Sequence, residues 1–265
     1  MVEHVRGGQL FDSFAADYDR FSRLEPPRIA NWLLTQLPAH AGRALDAGCG
    51  SGRHTSALAA HFDKVIGIDI SAPLIDIARQ RSGPNARYVV SDLMAFADPD
   101  GFDLVFSSTT LHHMPDLEGA LVRLRGLVRP GGTAILIDNV ASRPTPPRWV
   151  HVLGALRDVP GDIARVGARK AGWLLKFRTG AAWLDHLASD RYLTRQAFEH
   201  RYGAIFPEAR FESLGYAHGL VWEKKTPRLL RGVMRFAESP RKRCQAEPSR
   251  VQRPESGIPS KPASP

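Results

Sequence analysis

Five short apolar runs, each followed by a segment with helical spacing, constrain this chain more than any other feature. They are "RALDAG" (43–48), "KVIGIDI" (64–70), "ARYVVSD" (86–92), "FDLVFSS" (102–108) and "TAILIDNV" (133–140). The early runs are nearly all-apolar, as strands are when both sheet faces are covered. Alternation with helical segments then predicts a parallel sheet under helices. Helices are expected over 53–62, 72–81 and 117–128, and "RPGG" (129–132) is expected to break the chain before the fifth strand. Two later runs, "RFESLGY" (210–216) and "GLVWEKK" (219–225), bring the strands to seven. The fold class is α/β, a mostly parallel seven-stranded sheet with helices on both faces.

Between the fifth and sixth runs the pattern changes. Residues 145–205 carry no strand run and read as helices: "RWVHVLGALRDV", "IARVGARKAGWLLKF" and "TRQAFEHRYGAIF". Trp149, Trp173 and Trp183 all fall here. A helical insertion at this place predicts a lid over the carboxyl ends of the strands, where such sheets bind ligands. A packing subdomain would give the same pattern. Ahead of the first strand, "LFDSFAADYDRF" (10–21) has near-helical apolar spacing and predicts an amphipathic helix in an N-terminal segment (1–30) that closes over the ligand edge. The main domain is then 31–225.

The net charge of +9 raises nucleic acid as a partner. Its distribution argues otherwise. Residues 1–140 carry −3, 141–180 carry +6, 181–225 balance, and 226–265 carry +6. The last segment is rich in Pro, Ser and Arg and poor in apolar residues, so it is expected to be a disordered basic tail. Cys49 and Cys244 form neither a disulfide framework nor a metal-ligand spacing, and no metal is expected. No stretch is apolar enough to span a bilayer, and the first ten residues lack the apolar core of a signal peptide, so a cytoplasmic location is expected.

The stretch "LDAGCGSGRH" (45–54) joins the first strand to the first helix. A dinucleotide fingerprint would need glycine at 53, where Arg53 stands, and a phosphate loop would need Gly-Lys-Ser/Thr. The pattern is instead Asp46-x-Gly48-x-Gly50-x-Gly52. An acid there suits a ligand presenting a cation or hydroxyls rather than a pyrophosphate. Asp69 ends the second strand, where a carboxylate can accept from two ribose hydroxyls. Asp92 ends the third, where it could accept from an adenine amino group beside the Leu93 amide. These residues together describe an adenosine site without phosphate.

"LDAGCGSG", "VIGIDIS", "VVSDLMAF", "FDLVFSSTTLHHMPD" and "LVRPGG", with "FDSFAADYD" before them, resemble the class I S-adenosylmethionine-dependent methyltransferases. The similarity is to the branch that includes ubiquinone and menaquinone biosynthesis enzymes, and it covers about residues 10–140. It implies a Rossmann-like sheet and S-adenosylmethionine as cofactor, with S-adenosylhomocysteine as product. It implies that Gly48, Cys49, Gly50 and Gly52 form the turn beside the methionine moiety and ribose, with Asp46 near the amino-acid end. Asp69 would bind ribose, Ile70 would lie beside adenine, and Asp92 and Leu93 would recognise it. Ser107 would approach the methionine amino group, and Tyr18 would close over the cofactor.

A sulfonium methyl is already activated, so the protein must align the acceptor and exclude water. A general base is needed only for an acceptor that arrives protonated. His112 and His113, just after the fourth strand, are the candidates, with His186 and His151 further options. "SSTT" after the fourth strand is unlike the Pro-Pro-aromatic signature of base-amine methylation, and no cysteine is placed for attack on a pyrimidine. Basic residues interleaved with Trp149, Leu153, Trp173 and Leu174 predict a hydrophobic or acidic small-molecule acceptor, or contact with a membrane surface. The competing classes are an RNA methyltransferase using the basic tail and a non-catalytic cofactor-binding module.

Overall fold

The computed structural model describes residues 7–38, 42–142 and 146–226. The expected basic tail lies outside the described residues, apart from Thr226. Seven strands form one sheet: β1 (Arg43–Ala47), β2 (Lys64–Asp69), β3 (Ala86–Val90), β4 (Phe102–Ser108), β5 (Val128–Asn139), β6 (Arg210–Ser213) and β7 (Ala217–Glu223). Their order is β3-β2-β1-β4-β5-β7-β6. All pairs are parallel except β5 with β7 and β7 with β6. The chain therefore reverses its direction of winding between β1 and β4. The crevice at the carboxyl ends of those two strands is where an open α/β sheet takes a ligand.

Alternate strand residues feed the two faces, as the period-two backbone requires. Leu45, Ala47, Val105 and Leu136 enter one core with Leu121, Leu124, Tyr202 and Phe206. Ala44, Leu104, Phe106, Ile135 and Ile137 enter the other with Trp32, Leu33, Leu58 and Phe62. The helices that cover the sheet include α3 (Arg53–Ala59), α4 (Ala72–Arg79), α5 (Leu117–Leu127) and α9 (Arg195–Ile205). Ser71 caps α4, accepting from Leu74 N–H, and Asp116 caps α5, accepting from Gly119 N–H.

Four local features differ from the sequence expectation. "RPGG" does not end pairing; it is a bulged start to β5, with Gly131 at φ +80° and Gly131 N–H donating to Lys224 O at 2.7 Å. The N-terminal segment is a 3-10 helix (Gly7–Phe14) followed by α1 (Ala15–Leu24), and a further helix, α2 (Arg28–Gln36), precedes β1. The helix expected to end near Pro160 continues: α6 spans Arg148–Val166, and the break falls at Gly167 (φ +81°) before α7 (Ala168–Arg178). Buried Asp162 holds the segment past the proline, accepting from Arg165 and from Arg178 at 2.6 Å. An additional helix, α8 (Ala181–Ser189), precedes α9.

Candidate active site

The glycine turn is shaped by backbone conformation. Gly48, Gly50 and Gly52 all have positive φ, +76°, +53° and +80°, a region that side chains disfavour. At Gly48 a Cβ would also lie 2.2 Å from Thr110 Oγ1. At Gly50 the space is open, with only the Tyr18 ring at 3.9 Å. Gly48 and Cys49 N–H both donate to Ile68 O, and Gly50 N–H donates to Asp69 Oδ2 at 2.8 Å. Asp69 Oδ1 accepts from Ser71 N–H at 2.9 Å, and burial raises its pKa. Asp46 is almost fully buried behind the turn, accepting from Thr55 Oγ1 at 2.6 Å. Burial, with one hydroxyl as its side-chain partner, pushes its pKa up to about 7.

A cavity of about 240 Å³ opens on this turn. Gly48, Cys49, Gly50 and Ser51 form one wall, Tyr18 and Phe21 of α1 another, and Ser108, Thr109, His112 and His113 after β4 a third. Of the helices inserted after β5, only α8 reaches it, through Trp183, His186 and Leu187, with Asp190 just beyond. Its roof is aromatic: Tyr18 lies 4.5 Å from Phe11, and Phe11 lies 4.3 Å from His186 between ring centroids. Burial, then the charge of Asp69, raises the Tyr18 pKa to about 12, so the phenol stays protonated.

The floor after β4 is an acid–base cluster. His112 Nδ1 lies 2.5 Å from Asp138 Oδ1, and Asp138 also receives Tyr202 OH at 3.4 Å. Asp190 receives Tyr192 OH at 2.6 Å, with His113 Nδ1 at 3.2 Å, His112 Nε2 at 3.7 Å and His186 Nε2 at 3.9 Å. Burial opposes the charged form of His112, yet the charge and hydrogen bond of Asp138 and the charge of Asp190 outweigh it and raise its pKa. Burial works against the Asp190 anion too, but the surrounding histidines hold it down at about 2. Burial lowers His186 to about 4. Ligand-capable atoms of His112, His113 and Asp190 lie within 4.8 Å of one another, a grouping that no sequence spacing announces.

Of the residues expected from sequence, Tyr18, Gly48, Cys49, Gly50, His112 and His113 meet at the cavity. Asp46, Gly52, Asp69, Ile70, Asp92, Leu93 and Ser107 stand outside its lining. Ser107 Oγ donates to Ala47 O at 2.8 Å, bracing β4 on β1. Asp92 Oδ1 accepts from Met94 N–H at 2.9 Å, and the Leu93 side chain packs into the core. The edge near Asp69 is covered by the N-terminal 3-10 helix, where Asp12 accepts from Ser71 Oγ at 2.5 Å. His151 is absent from the lining, and His186 is part of it. Sequence reasoning missed Asp138 and Asp190. Asp138 carried a usable signal: like Asp69 and Asp92, it is a lone acid at the carboxyl end of an apolar strand.

A glycine turn at the switch point of a parallel sheet, with acids at successive strand ends, defines a nucleotide-type cofactor site in an α/β enzyme. The comparisons make it specific. A family profile described as a methyltransferase domain matches residues 45–136. A trans-aconitate 2-methyltransferase of Methylobacterium radiotolerans is 34% identical over 193 residues, covering 69% of this chain and 72% of the relative. A solved DhpI–S-adenosylhomocysteine complex superposes with TM-score 0.58 at 17% identity, covering 86% of this chain and all of that one. A methyltransferase from Thermotoga maritima superposes with TM-score 0.57 at 16% identity, covering 82% of this chain and 99% of that one. At those identities the structures show the shared fold. The chain belongs to the class I S-adenosylmethionine-dependent methyltransferases and is an enzyme.

Proposed function

We propose that this enzyme methylates a hydroxyl oxygen of a small, partly apolar acceptor, with His112 as general base and Asp138 as its positioning partner. The observation that carries this reading is the buried His112–Asp138 pair, whose His112 lines the cavity together with the glycine turn. A carboxylate acceptor is already ionised near neutral pH and would need no base. The residues around the turn suit S-adenosylmethionine: Gly48 and Gly50 leave the backbone bare, Tyr18 covers it, and Asp46 awaits a cation. Asp69 would accept from ribose, and Asp92 with the Leu93 amide would meet adenine, once the N-terminal helix moves aside. When bound, the cofactor supplies an activated methyl group. With Asp138 accepting from Nδ1, Nε2 is the nitrogen left to take a proton, 3.7 Å from Asp190 Oδ2. His112 takes the acceptor proton at Nε2, and the aromatic roof of Phe11, Tyr18 and Trp183 excludes water.

The test is methyl transfer by the purified protein to paired acceptors bearing either a hydroxyl or a carboxylate, followed against pH. Because the His112 pKa is raised, its base form appears only above the ordinary value of 6.5, and the rate on hydroxyl acceptors rises with pH through that higher value. His112→Asn should cost about 10²–10⁴-fold in kcat on hydroxyl acceptors. Asp138→Asn should move the profile to lower pH. A pH-independent rate carried by carboxylate acceptors, untouched in His112→Asn, would favour the carboxylate reading suggested by the trans-aconitate relatives. Loss of activity to a chelator, restored by a divalent cation, would replace the base with a metal centre.

A further inference from the structure

Helix α6 is apolar on a side that no described residue covers. Trp149, Leu153, Leu156 and Ile163 recur at i, i+4, i+7 and i+14, so they share one face of the helix. They are 64%, 56%, 50% and 46% exposed. With Val150, they make five of the ten exposed large hydrophobic residues among those described. The opposite side of the same helix holds the buried Ala155 and Asp162, and Asp162 pairs with Arg178 of α7. The exposed face runs for about 21 Å along the helix at 1.5 Å per residue. A contiguous stripe of this kind marks an interaction surface.

The charge of the segment that carries this face selects the occupant. The segment 141–180 carries a net +6. Arg148, Arg165 and Arg178 are engaged with Asp185, Asp162 and Glu25. Arg157, Arg169, Lys170 and Lys176 are exposed and make no ion pair or hydrogen bond among the described residues. A two-fold dimer through this face would set one such cationic segment against another. An anionic lipid surface receives both features at once, with the apolar side chains at the acyl boundary and the arginines and lysines among the headgroups. We propose that α6 docks this enzyme on anionic membrane surfaces through its Trp149–Ile163 face. The docking helix follows β5 and contributes nothing to the cavity lining, so it stands independently of the acceptor assignment above.

The experiment is co-sedimentation of the full chain with vesicles of phosphatidylcholine alone or mixed with phosphatidylglycerol. Wild type should sediment with the mixed vesicles, and added salt should release it. The triple variant W149S/L156S/I163S should lose about tenfold or more in partitioning, since the apolar contacts carry the insertion. The charge variant R157E/R169E/K170E keeps the apolar face and should lose the preference for phosphatidylglycerol. Both variants should melt like wild type and keep its rate on a soluble acceptor. Failure of wild type to sediment overturns the proposal, as does binding unchanged in the triple variant, which would assign it to another part of the chain. Concentration-dependent self-association of wild type, abolished in the triple variant and without vesicle binding, would assign the face to a second copy.

Discussion

Asp46 allows a stability measurement to test the site in the absence of any substrate. Its carboxyl is 1% exposed, with Thr55 as its side-chain hydrogen-bond partner and the Asp69 anion nearby. Folding therefore lifts its pKa from 3.8 to about 7. A raised acid pKa means that the folded state holds the proton longer than the unfolded chain. Stability falls by about 1.4 kcal/mol per pH unit between those two values and levels off above the higher one. The full loss is about 4 kcal/mol, of which roughly 2.5–3 kcal/mol falls between pH 5 and pH 8.5. Asp46→Asn is neutral, nearly isosteric and still able to accept from Thr55. The expected outcome, by urea denaturation across that range, is a variant that is more stable than wild type by a margin widening with pH. Cofactor affinity should move the other way. A cation beside the turn draws the proton off Asp46, so wild-type binding strengthens as pH rises through 7 and the asparagine variant binds weakly at every pH. A stability gap that stays flat or narrows with pH would refute the argument that burial governs this acid.

The glycine turn gives a contrast between neighbours. Gly48→Ala meets Thr110 at 2.2 Å and should destabilise the fold by at least about 2 kcal/mol, read from the urea midpoint. Gly50→Ala meets open space, so it should cost only the left-handed backbone penalty of about 1–2 kcal/mol while obstructing cofactor binding measured by calorimetry. Asp12→Ala frees the N-terminal 3-10 helix from Ser71 and should raise the cofactor association rate severalfold in stopped-flow measurement. Asp162→Ala strips two guanidinium groups of their buried partner and should cost about 3 kcal/mol, with Arg178 still held by Glu25.

Much of the fold was legible because each strand is an unbroken apolar run, a pattern fixed by burial on both faces. β4 occupies the same residues, 102–108, as its run, and β1, β2 and β3 end within two residues of theirs. Legibility failed where tertiary contacts overrule local signals. Pro160 marks a stop in sequence, but the Asp162 ion pairs carry α6 beyond it to a glycine with positive φ. "AAWLDHLAS" is too short to declare α8 by periodicity, yet it brings Trp183 and His186 to the cavity. The glycine turn and the acids at strand ends could be read because they follow one another along the chain. His112 and His113 were also legible from their place after β4, but their partners Asp138 and Asp190 were not, since these acids join them only by the crossing of β4, β5 and the insertion.

The two most buried acids of the site show how environment divides the work. Asp46 and Asp190 are each 1% exposed, yet one is pushed up to about 7 and the other down to about 2. The difference lies in their partners: a single hydroxyl for Asp46, and a tyrosine with three imidazoles for Asp190. An enzyme that methylates a hydroxyl must accommodate a positive charge at one end of its cavity and a departing proton at the other. In the proposed reaction an acid that ionises only when a cation arrives would serve the first need, at little cost to the empty fold near pH 5. A carboxylate held ionised among histidines would serve the second, by favouring the imidazolium formed as the acceptor gives up its proton in that reaction. Exchanging the two environments would leave an uncompensated anion beside the glycine turn and a neutral acid beside His112. His112 would then have no counter-ion but Asp138.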